Sequence, residues 1–380
     1  MSKTKVLCVV GTRPEVIKLA PVIRVLRGQA QAFETRVLAT GQHRELLSQM
    51  LEVFAIRPDR DLALMRTDQN LSHVAGRALI GISDFLEAQP ADVVLAQGDT
   101  ATVMAAGMAC FFNRVRFGHI EAGLRTGNRW APYPEEFNRR VAALAADWHF
   151  APTGTAAENL LREGVPREAV RVTGNTVIDA LLHVLHATRP PVPPVGDERP
   201  YVLMTCHRRE SFGAPMIEIF EAVRDFFAGQ SEFRLWYPVH PNPHVSGPAG
   251  RILAGAANVA LTGPLDYVSF AHAMNGAHLL LTDSGGIQEE GPSLGKPVIV
   301  LRDVTERPEG VAAGTCLLVG PHREGILAAL SRLLGDKAAY RRMAQAQNPY
   351  GDGRASERIV AALRGEPLPD WGAPPAPPAT

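Results

Sequence analysis

The sequence predicts an α/β protein built from two doubly wound domains in series. Two observations carry this prediction. Short apolar, β-rich runs alternate with helical patterns along most of the 380 residues, and the alternation breaks at the proline-rich stretch "ATRPPVPPVGDERP" of residues 187–200. Strands that alternate with helices predict parallel sheets, and a proline-rich break between two such series predicts a connector between domains.

The first series begins with the apolar run "KVLCVV", which is followed by the helical pattern "EVIKLAPVIRVL". The same pairing recurs in "TRVLAT" with "ELLSQMLEVF" and in "ADVVLAQ" with "TATVMAAGMACFF". The runs "RFGHIEAG" and "WHFAPT" extend the series. We therefore predict a first sheet of parallel strands joined by helices.

The second series predicts a second sheet. Its predicted strands are "YVLMTC", "FRLWYPVH", "VALTG", "HLLLTDS", "PVIVLRD" and "CLLVG". The amphipathic stretch "SERIVAALRG" predicts the last helix. The tail of residues 366–380, "EPLPDWGAPPAPPAT", is rich in proline and alanine, and we expect it to be disordered.

Composition argues against nucleic acid and membrane surfaces as partners. Lysine plus arginine and aspartate plus glutamate each number 39, so no net charge attracts a polyanion. No apolar run approaches the roughly 20 residues that a membrane helix needs. The four cysteines are scattered and form no C-x-x-C pair, which favours reduced thiols in a cytoplasmic protein.

Common cofactor and metal motifs do not occur in the sequence. No G-x-G-x-x-G follows the first strand, and "GPSLGKP" lacks the glycine and the hydroxyl residue that a P-loop requires. The histidines do not have H-E-x-x-H or an equivalent metal-binding spacing. We therefore expect neither a required metal nor a bound cofactor.

Polar residues follow many of the predicted strands, at the edge where doubly wound sheets bind ligands. The stretch "DSGGIQEE", residues 283–290, places two glycines at a strand-to-helix corner. A helix start has unpaired N–H groups and attracts anions, so phosphate is the first ligand to expect. The corner alone leaves open the alternative that Asp283 or Ser284 only caps a helix.

Cationic residues lie near two other strand ends. Arg13 and Lys18 follow the first strand, and His207, Arg208 and Arg209 follow the first strand of the second series. Such clusters suit a diphosphate, although solvated surface charge is the ordinary alternative for lysine and arginine.

Three carboxylates supply candidate acids and bases: Asp99 in "QGDT", Glu121 in "HIEAG" and Glu135 in "PYPEEFNRR". Taken singly, they could serve as a helix cap, a buried ion-pair partner and a first-turn acid, respectively. Together they suit a reaction that removes a proton from one face of a carbon and returns it on the other, which needs more than one acid or base.

A series of long motifs runs through the chain to about "SERIV". In order they are "GTRPEVIKLAP", "GQHRELL", "QGDTATVMA", "HIEAGLRTGN", "PYPEEFNRR", "TCHRRESFG", "VHPNP" and "LTDSGGIQEEGPSLGKPVIVLRDVTERPEG". With these motifs the chain closely resembles the non-hydrolysing UDP-N-acetylglucosamine 2-epimerases of bacteria. The resemblance implies a GT-B-like pair of Rossmann-like domains that face each other across a cleft, in a homodimer.

The resemblance also implies domain limits and a reaction. The first domain would comprise residues 1–173 and the UDP-binding second domain residues 174–354, and the helix at about 355–365 would pack back on the first domain. UDP would be eliminated from UDP-GlcNAc together with the proton on carbon 2, giving an enzyme-bound 2-acetamidoglucal. UDP would then add back, with protonation from the opposite face, to give UDP-ManNAc.

Site residues carry over by their positions in the motifs. The catalytic set implied by the resemblance is Asp99, Glu121, Glu135 and His207, with no assignment of the carboxylate that removes the proton. The implied substrate-binding set is Arg13, Lys18, Phe270, Ser284, Gly285, Gly286 and Glu290. Ser284 to Gly286 would receive the phosphates, Glu290 the ribose hydroxyls, and Phe270 the uracil, unless Phe270 is an ordinary core residue.

A second UDP-GlcNAc activates many bacterial members of this family. Gln42, Arg208 and His240 match the residues of that activator site. The sequence departs from the pattern at Glu45, where a glutamine is common, and at Asp68, where an arginine can occur. Two extra negative charges would oppose the binding of a second diphosphate, which weighs against activation.

Other functions remain open at this point. A relative could act on a modified UDP-sugar such as a 2,3-diacetamido uronic acid, or could let water capture the intermediate and release ManNAc. A GT-B glycosyltransferase would share the fold and the UDP site but would leave the three carboxylates poorly explained. A non-catalytic sugar-nucleotide sensor is disfavoured by the intact catalytic set.

Overall fold

The computed structural model describes residues 2–41, 44–64, 70–189 and 198–371. The chain forms two compact units. Unit 1 comprises Met1–Ala180 and Tyr350–Gly372, and unit 2 is built on Leu181–Pro349. The first division thus falls seven residues after the limit expected at residue 173, because the corner that follows residue 173 bonds to the returning segment of unit 1.

Unit 1 is a parallel α/β unit with a seven-stranded sheet. Its strands are β1 (Thr4–Val10), β2 (Phe33–Ala39), β3 (Arg60–Asp61), β4 (Val93–Gln97), β5 (Arg116–Ile120), β6 (Trp148–Ala151) and β7 (Val170–Val172). Its helices are α1 (Arg13–Gly28), α2 (Arg44–Val53), α3 (Leu71–Ala88), α4 (Ala101–Asn113), α5 (Glu135–Ala145), α6 (Gly154–Arg162) and α7 (Thr176–Ala187), which continues into unit 2.

Unit 2 repeats this architecture with six parallel strands. They are β8 (Tyr201–Thr205), β9 (Arg234–Pro238), β10 (Val259–Thr262), β11 (Leu279–Thr282), β12 (Val298–Val300) and β13 (Cys316–Leu318). The helices are α8 (Ala214–Ala228), α9 (Pro243–Leu253), α10 (Tyr267–Gly276), α11 (Gly285–Ser293), α12 (Pro308–Ala312), α13 (Arg323–Gly335) and α14 (Lys337–Ala344). The last helix, α15 (Ala355–Leu363), belongs to unit 1, where it packs against α1.

The strand orders place a switch point near the middle of each sheet. The order is β3-β2-β1-β4-β5-β6-β7 in unit 1 and β10-β9-β8-β11-β12-β13 in unit 2. The direction of chain progression therefore reverses between β1 and β4 and between β8 and β11. Ligands of open α/β sheets bind at such points, beyond the carboxyl ends of the strands.

The central strands are apolar because helices cover the sheet. In unit 1, Leu7, Val94 and Phe117 from three adjacent strands share one buried cluster with side chains of α3 and α4. Strands that are buried on both faces read as continuous apolar runs, and this is why they could be recognised in the sequence. The edge strands of unit 1, β3 and β7, are too short to give such a run, and neither was predicted.

The start of the predicted disordered tail is packed against unit 1. The buried guanidinium of Arg358 donates to the carbonyl oxygens of Pro369 and Asp370, each at 2.8 Å, and stands 4.8 Å from the ring centroid of Trp371. A buried guanidinium needs acceptors, which explains why this segment is held. Residues 372–380 of the same predicted tail lie outside the described residues.

Across the described ranges, no helix combines the length and the apolar character that crossing a membrane requires. The same residues include no cluster of three or more histidine, cysteine, aspartate or glutamate side chains arranged to hold a metal ion. Cys8, Cys110, Cys206 and Cys316 are free and buried.

Candidate active site

The carboxylate of Glu121 is the most heavily bonded of the predicted catalytic groups. Glu121 follows β5, and its Oε1 and Oε2 accept from the ammonium of Lys18 at 2.6 and 2.7 Å. Oε1 also accepts from Asn175 Nδ2 at 3.0 Å, and Oε2 accepts from the amide of Gln97. The side chain is 7% exposed. Lys18 and Glu121, predicted separately, therefore form one ion pair.

The backbone of Glu121 adopts a left-handed conformation with φ of +64°. This region is unfavourable for a residue with a Cβ, so the surrounding bonds must hold it. The donors come from different elements, since Lys18 belongs to α1, Gln97 ends β4 and Asn175 follows β7. Together they fix the carboxylate at the carboxyl edge of the sheet.

Asp99 lies beside this group, directly after Gly98. A Cβ placed on Gly98 would be 3.9 Å from Glu121 Oε2, so the Gly98–Asp99 turn approaches the Glu121 carboxylate closely. Asp99 Oδ2 pairs with Arg139 at 2.5 Å, and its backbone oxygen accepts from Asn138 at 2.9 Å. The Asp99 side chain remains 29% exposed and can reach a ligand.

Glu135 and Glu136 have different environments although they are adjacent in the sequence. Glu135 is half-buried at the first residue of α5. Glu136 is fully buried and pairs with Arg139 at 3.3 Å and with Arg140 at 3.1 Å. It also accepts the backbone N–H of Thr126 at 3.1 Å. Glu136 therefore anchors α5, whereas the predicted candidate Glu135 keeps a more open position.

The buried carboxylate of Glu15 holds the loop that follows β1. Glu15 accepts the N–H groups of Gly11 and Thr12 at 2.5 and 3.2 Å and the hydroxyl of Thr100 at 2.5 Å. Burial raises the pKa of Glu15 to about 7. Arg13 is the first residue of α1, directly after this loop, and it is exposed. The structure therefore fixes the backbone of this loop and leaves the Arg13 guanidinium accessible.

In unit 2, Asp283 organises the two strand ends at the switch point. It follows β11, is fully buried, and its Oδ2 accepts the N–H groups of His207 and Arg208, each at 2.7 Å. Its Oδ1 lies 3.5 Å from His207 Nδ1. Asp283 thus holds the loop after β8 and does not cap α11, which was one alternative for this residue.

The start of α11 is open to a ligand. Ser284 occupies the N-cap position, but its hydroxyl accepts no helix N–H group. The N–H of Ser284 itself donates to Thr282 Oγ1 at 2.9 Å. Gly285 and Gly286 form the first two positions of the helix, and Gly286 is exposed. Backbone donors without a side-chain cap, at a positive helix end, suit a phosphate.

His207 is placed next to this helix start by its bonds to Asp283. Its ring stacks on that of His240, with centroids 5.5 Å apart and planes 13° apart. Burial lowers the pKa of the His207 imidazole below its usual value, and the Asp283 carboxylate opposes this shift. Arg208 also faces the corner, since a Cβ on Gly285 would lie 3.5 Å from its guanidinium.

The remaining predicted contacts with a nucleotide lie on α10 and α11. Phe270 is half-buried in the first turn of α10. Glu290 is half-buried on α11, and a Cβ on Gly286 would lie 3.6 Å from its Oε2, which places the carboxylate one turn above the helix start. The neighbouring Glu289 is buried and pairs with Arg307.

Comparison with known proteins gives one consistent result. A family model described as UDP-N-acetylglucosamine 2-epimerase matches residues 27–364. The UDP-N-acetylglucosamine 2-epimerase of Yersinia pestis is 50% identical over 374 residues, which cover 95% of this chain and 98% of the relative. The chain belongs to the UDP-N-acetylglucosamine 2-epimerase family.

Solved structures confirm the fold class. The UDP-GlcNAc 2-epimerase from Neisseria meningitidis, bound to UDP-GlcNAc, is 43% identical with a TM-score of 0.85, covering 96% of this chain and all of that one (100%). A glycosyltransferase from Rickettsia africae is 12% identical with a TM-score of 0.65 over 96% of this chain and 99% of that one, a likeness of fold alone. The fold class predicted from the sequence, two parallel α/β domains of the GT-B-like type, is therefore confirmed.

The residues of the predicted activator site are only partly described. Arg208 follows His207 in the chain, and the ring of His240 stacks on that of His207. Gln42 and Asp68 lie outside the described residues, and the side chain of Glu45 is likewise not described. The structure therefore gives two members of the predicted activator set.

Several supporting residues were not predicted from the sequence. Gln97 stands at a recognised strand end in "AQGD" and could have been singled out by that position. Asn175 follows β7, and because this strand was not recognised, neither was the residue after it. Arg139 and Glu136 resemble their neighbours Arg140 and Glu135 in type, so only the helix geometry separates them.

Proposed function

We propose that this protein is a non-hydrolysing UDP-GlcNAc 2-epimerase that interconverts UDP-GlcNAc and UDP-ManNAc. The observation that carries the proposal is the set of acid–base groups at the switch point of unit 1, where Glu121 pairs with Lys18 and Asp99 pairs with Arg139. Family membership and the UDP-GlcNAc bound in the Neisseria structure support the choice of substrate.

The reaction needs assisted departure of UDP. The proton on carbon 2 has no adjacent carbonyl to acidify it, so the bond from carbon 1 to UDP must break with cationic character at carbon 1. UDP leaves with the bonding electron pair, a carboxylate takes the proton, and the C–H electrons form the double bond of 2-acetamidoglucal. Re-addition of UDP and protonation of carbon 2 from the opposite face give the epimer.

Unit 2 would bind the leaving diphosphate. The uncapped N–H groups at Ser284 to Gly286 and the imidazole of His207 supply donors for phosphate oxygens. Donors that are already oriented stabilise the charge that develops as UDP departs, without further reorganisation. Glu290 would accept the ribose hydroxyls, and Phe270 would pack on the uracil.

Unit 1 would carry out the proton transfers. Removal of a proton from one face and its return on the other require two groups, and Asp99, Glu121 and Glu135 are the candidates. Cations beside a carboxyl group stabilise its deprotonated form, which is the form in which it can accept a proton. Arg13, exposed on the loop after β1, and Lys18 would add positive charge near the substrate.

A homodimer is the assembly that we propose. Three neighbouring helices of unit 1 carry exposed apolar side chains: Ile80 on α3, Phe111 and Phe112 on α4, and Phe137 and Leu144 on α5. Leu144 is 88% exposed and Phe111 is 71% exposed. Exposed apolar side chains on adjoining helices are typical of protein interfaces. Light scattering should therefore give twice the chain mass for the wild type and a smaller mass for Phe111→Glu.

Glu45 and Asp68 weigh against a second UDP-GlcNAc, but if one binds at Arg208 and His240 it would act on His207 through the stacked ring of His240. The steady-state rate should then rise sigmoidally with UDP-GlcNAc concentration, whereas a hyperbolic curve would remove the activator from the proposal.

The four buried free thiols support the expectation of a reducing compartment such as the cytoplasm.

Product analysis tests the proposed activity. Purified protein incubated with UDP-GlcNAc should give a mixture of UDP-GlcNAc and UDP-ManNAc in the NMR spectrum, and the same mixture should form from UDP-ManNAc. Free ManNAc as the sole product would mean hydrolysis of the intermediate. No conversion of UDP-GlcNAc, with turnover of a 2,3-diacetamido uronic acid derivative, would assign the modified substrate instead.

A further inference from the structure

Asn175 connects the Glu121 carboxylate with the C-terminal segment that returns to unit 1. Its side-chain Nδ2 donates to Glu121 Oε1 at 3.0 Å, and its backbone N–H donates to the carbonyl oxygen of Tyr350 at 2.7 Å. Its Oδ1 accepts the N–H of Val177 at 3.1 Å, in the first turn of α7. Asn175 is 3% exposed, so none of these bonds competes with bulk water.

The returning segment, residues 350–371, is bonded to the same corner of unit 1 at further points. The buried carboxylate of Asp179 accepts the N–H groups of Ala355 and Ser356 at 3.2 and 2.8 Å, at the start of α15. Arg358 forms a bidentate pair with Asp352 at 2.7 and 2.6 Å. The same Arg358 donates to the carbonyl oxygen of Thr173 at 3.2 Å. The corner at residues 173–179 is thus held by the returning segment.

We propose that Asn175 is a positioning residue that makes the placement of the Glu121 carboxylate depend on the docked returning segment. The inference rests on the proposed function, since it assigns a role to Asn175 only if Glu121 takes part in proton transfer. Lys18 and Gln97 also donate to Glu121, but Asn175 is the donor whose own backbone is bonded to Tyr350.

Physical requirements of the reaction explain why such support matters. Glu121 sits in a left-handed backbone conformation that it would not adopt freely, so its side-chain direction depends on its neighbours. A misplacement of about 1 Å in a reacting group can cost on the order of 100-fold in rate. A donor on the carboxylate also stabilises its charged form, so loss of the donor shifts protonation to higher pH.

An alternative role for Asn175 is purely structural, as the residue whose Oδ1 caps α7. Serine and aspartate also cap helices well, so Asn175→Ser and Asn175→Asp keep an oxygen for the Val177 N–H. Both remove the Nδ2 that donates to Glu121: aspartate has no donor, and the serine hydroxyl ends one atom short of the Nδ2 position. The backbone bond to Tyr350 does not depend on the side chain. These variants therefore separate the cap from the contact with Glu121.

The experiment measures kcat, KM, melting temperature and the pH profile of kcat for these variants. Asn175→Ser should lower kcat by about tenfold, as expected for a lost hydrogen bond to a charged group, with little change in KM. The acidic limb of the profile should move to higher pH by about one unit. Asn175→Asp should move it further, because a second negative charge faces Glu121.

A second arm tests the dependence on the returning segment. Asp352→Asn weakens the ion pair with Arg358, and it should lower kcat and move the acidic limb in the same direction as Asn175→Ser, by a smaller amount. Arg364→Ala is the matched control in the same returning segment, since Arg364 is exposed directly after α15 and bonds Gln29 at 3.1 Å and Glu366 at 2.7 Å. It should leave kcat and the profile unchanged.

The outcomes separate the inference from the proposed function. If the wild type does not epimerise UDP-GlcNAc, or if Glu121→Gln keeps full turnover, the proposed function or the role of Glu121 is wrong and the inference falls with it. If Glu121→Gln loses turnover while Asn175→Ser keeps the wild-type kcat and profile, only the inference is wrong. A fall in kcat that follows the melting temperature without a shifted acidic limb would assign Asn175 a structural role and overturn the inference.

Discussion

Neighbours determine what each carboxylate of unit 1 can do. Glu121 and Asp99 each pair with one cation at the carboxyl edge of the sheet, where a ligand can approach. Glu136 is fully buried and satisfied by two arginines and a backbone N–H group. We therefore propose that carboxylates serve the reaction in one place and stabilise the fold in the other.

Substitution by the matching amide distinguishes these two roles. Glu121→Gln and Asp99→Asn should each reduce turnover by at least about 100-fold, with nearly unchanged UDP affinity, because acid–base groups act mainly in the transition state. Glu136→Gln is the contrasting variant and should lower the melting temperature, because it removes a fully buried charge that pairs with both Arg139 and Arg140.

Turnover, UDP affinity and melting temperature should be measured on the same preparations of these variants. Wild-type turnover in both Glu121→Gln and Asp99→Asn would remove the two residues from the mechanism and leave Glu135 and His207 as candidates. Lost turnover with an equal loss of fold would support only a structural role.

Glu290 provides a test of the nucleotide site in unit 2. Glu290→Ala should weaken UDP binding by about 1 to 3 kcal/mol, the range for losing hydrogen bonds to a charged group, with little effect on folding. Calorimetric titration with UDP measures this directly. The neighbouring Glu289→Ala should instead reduce thermal stability, because it leaves Arg307 without its buried partner. Unchanged UDP affinity in Glu290→Ala would exclude the ribose contact.

At the scale of elements, helix starts in this chain serve two purposes. The start of α4 is capped by the Thr100 hydroxyl and that of α10 by the Asp266 carboxylate, and these caps satisfy backbone donors within the protein. The start of α1 is closed by the buried Glu15. The start of α11 has no side-chain cap, which leaves its donors for the proposed phosphate.

Burial of Glu15 predicts a defined pH dependence of stability. Its pKa rises from a model-peptide value of 4.5 to about 7 in the folded protein, so the folded state holds a proton that the unfolded state has released in this interval. This contribution is present below about pH 4.5 and is lost as the pH rises to about 7, on the order of 3 kcal/mol in all. Glu15→Gln should abolish this loss.

Urea denaturation at pH 5 and pH 8 measures the effect. The free energy of unfolding of Glu15→Gln minus that of wild type should be larger at pH 8 than at pH 5, because only wild type loses stability as the pH rises. Glu87→Gln, an exposed position of α3, is the control and should show no such difference. Equal effects of Glu15→Gln at both pH values would mean that Glu15 is charged in the folded protein throughout this range.

The sequence allowed most elements to be predicted, because buried parallel strands form continuous apolar runs. It failed at β3 and β7, which have two and three residues and owe their pairing to neighbours in the sheet. The failure at β7 also concealed Asn175. The tail was expected to be disordered from its composition, but Arg358 holds residues 369–371 through contacts that no local pattern reveals.

At the scale of the whole molecule, both units contain a parallel sheet with a switch point, but different side chains follow the strands at the two switch points. The switch point of unit 1 carries paired carboxylates and cations, and that of unit 2 carries an uncapped helix start beside a histidine. The formal net charge is zero, so attraction of an anionic nucleotide must come from these local groups.

Turnover of UDP-GlcNAc in D2O tests this account most directly. The proton taken from carbon 2 should exchange with solvent before one is returned, so NMR and mass spectrometry should find deuterium at carbon 2 of UDP-ManNAc and, after equilibration, of UDP-GlcNAc. The control without protein should incorporate none. UDP-ManNAc that keeps the original hydrogen at carbon 2 in every molecule would contradict proton transfer through solvent-exchanging carboxylates, and with it the proposed glycal route.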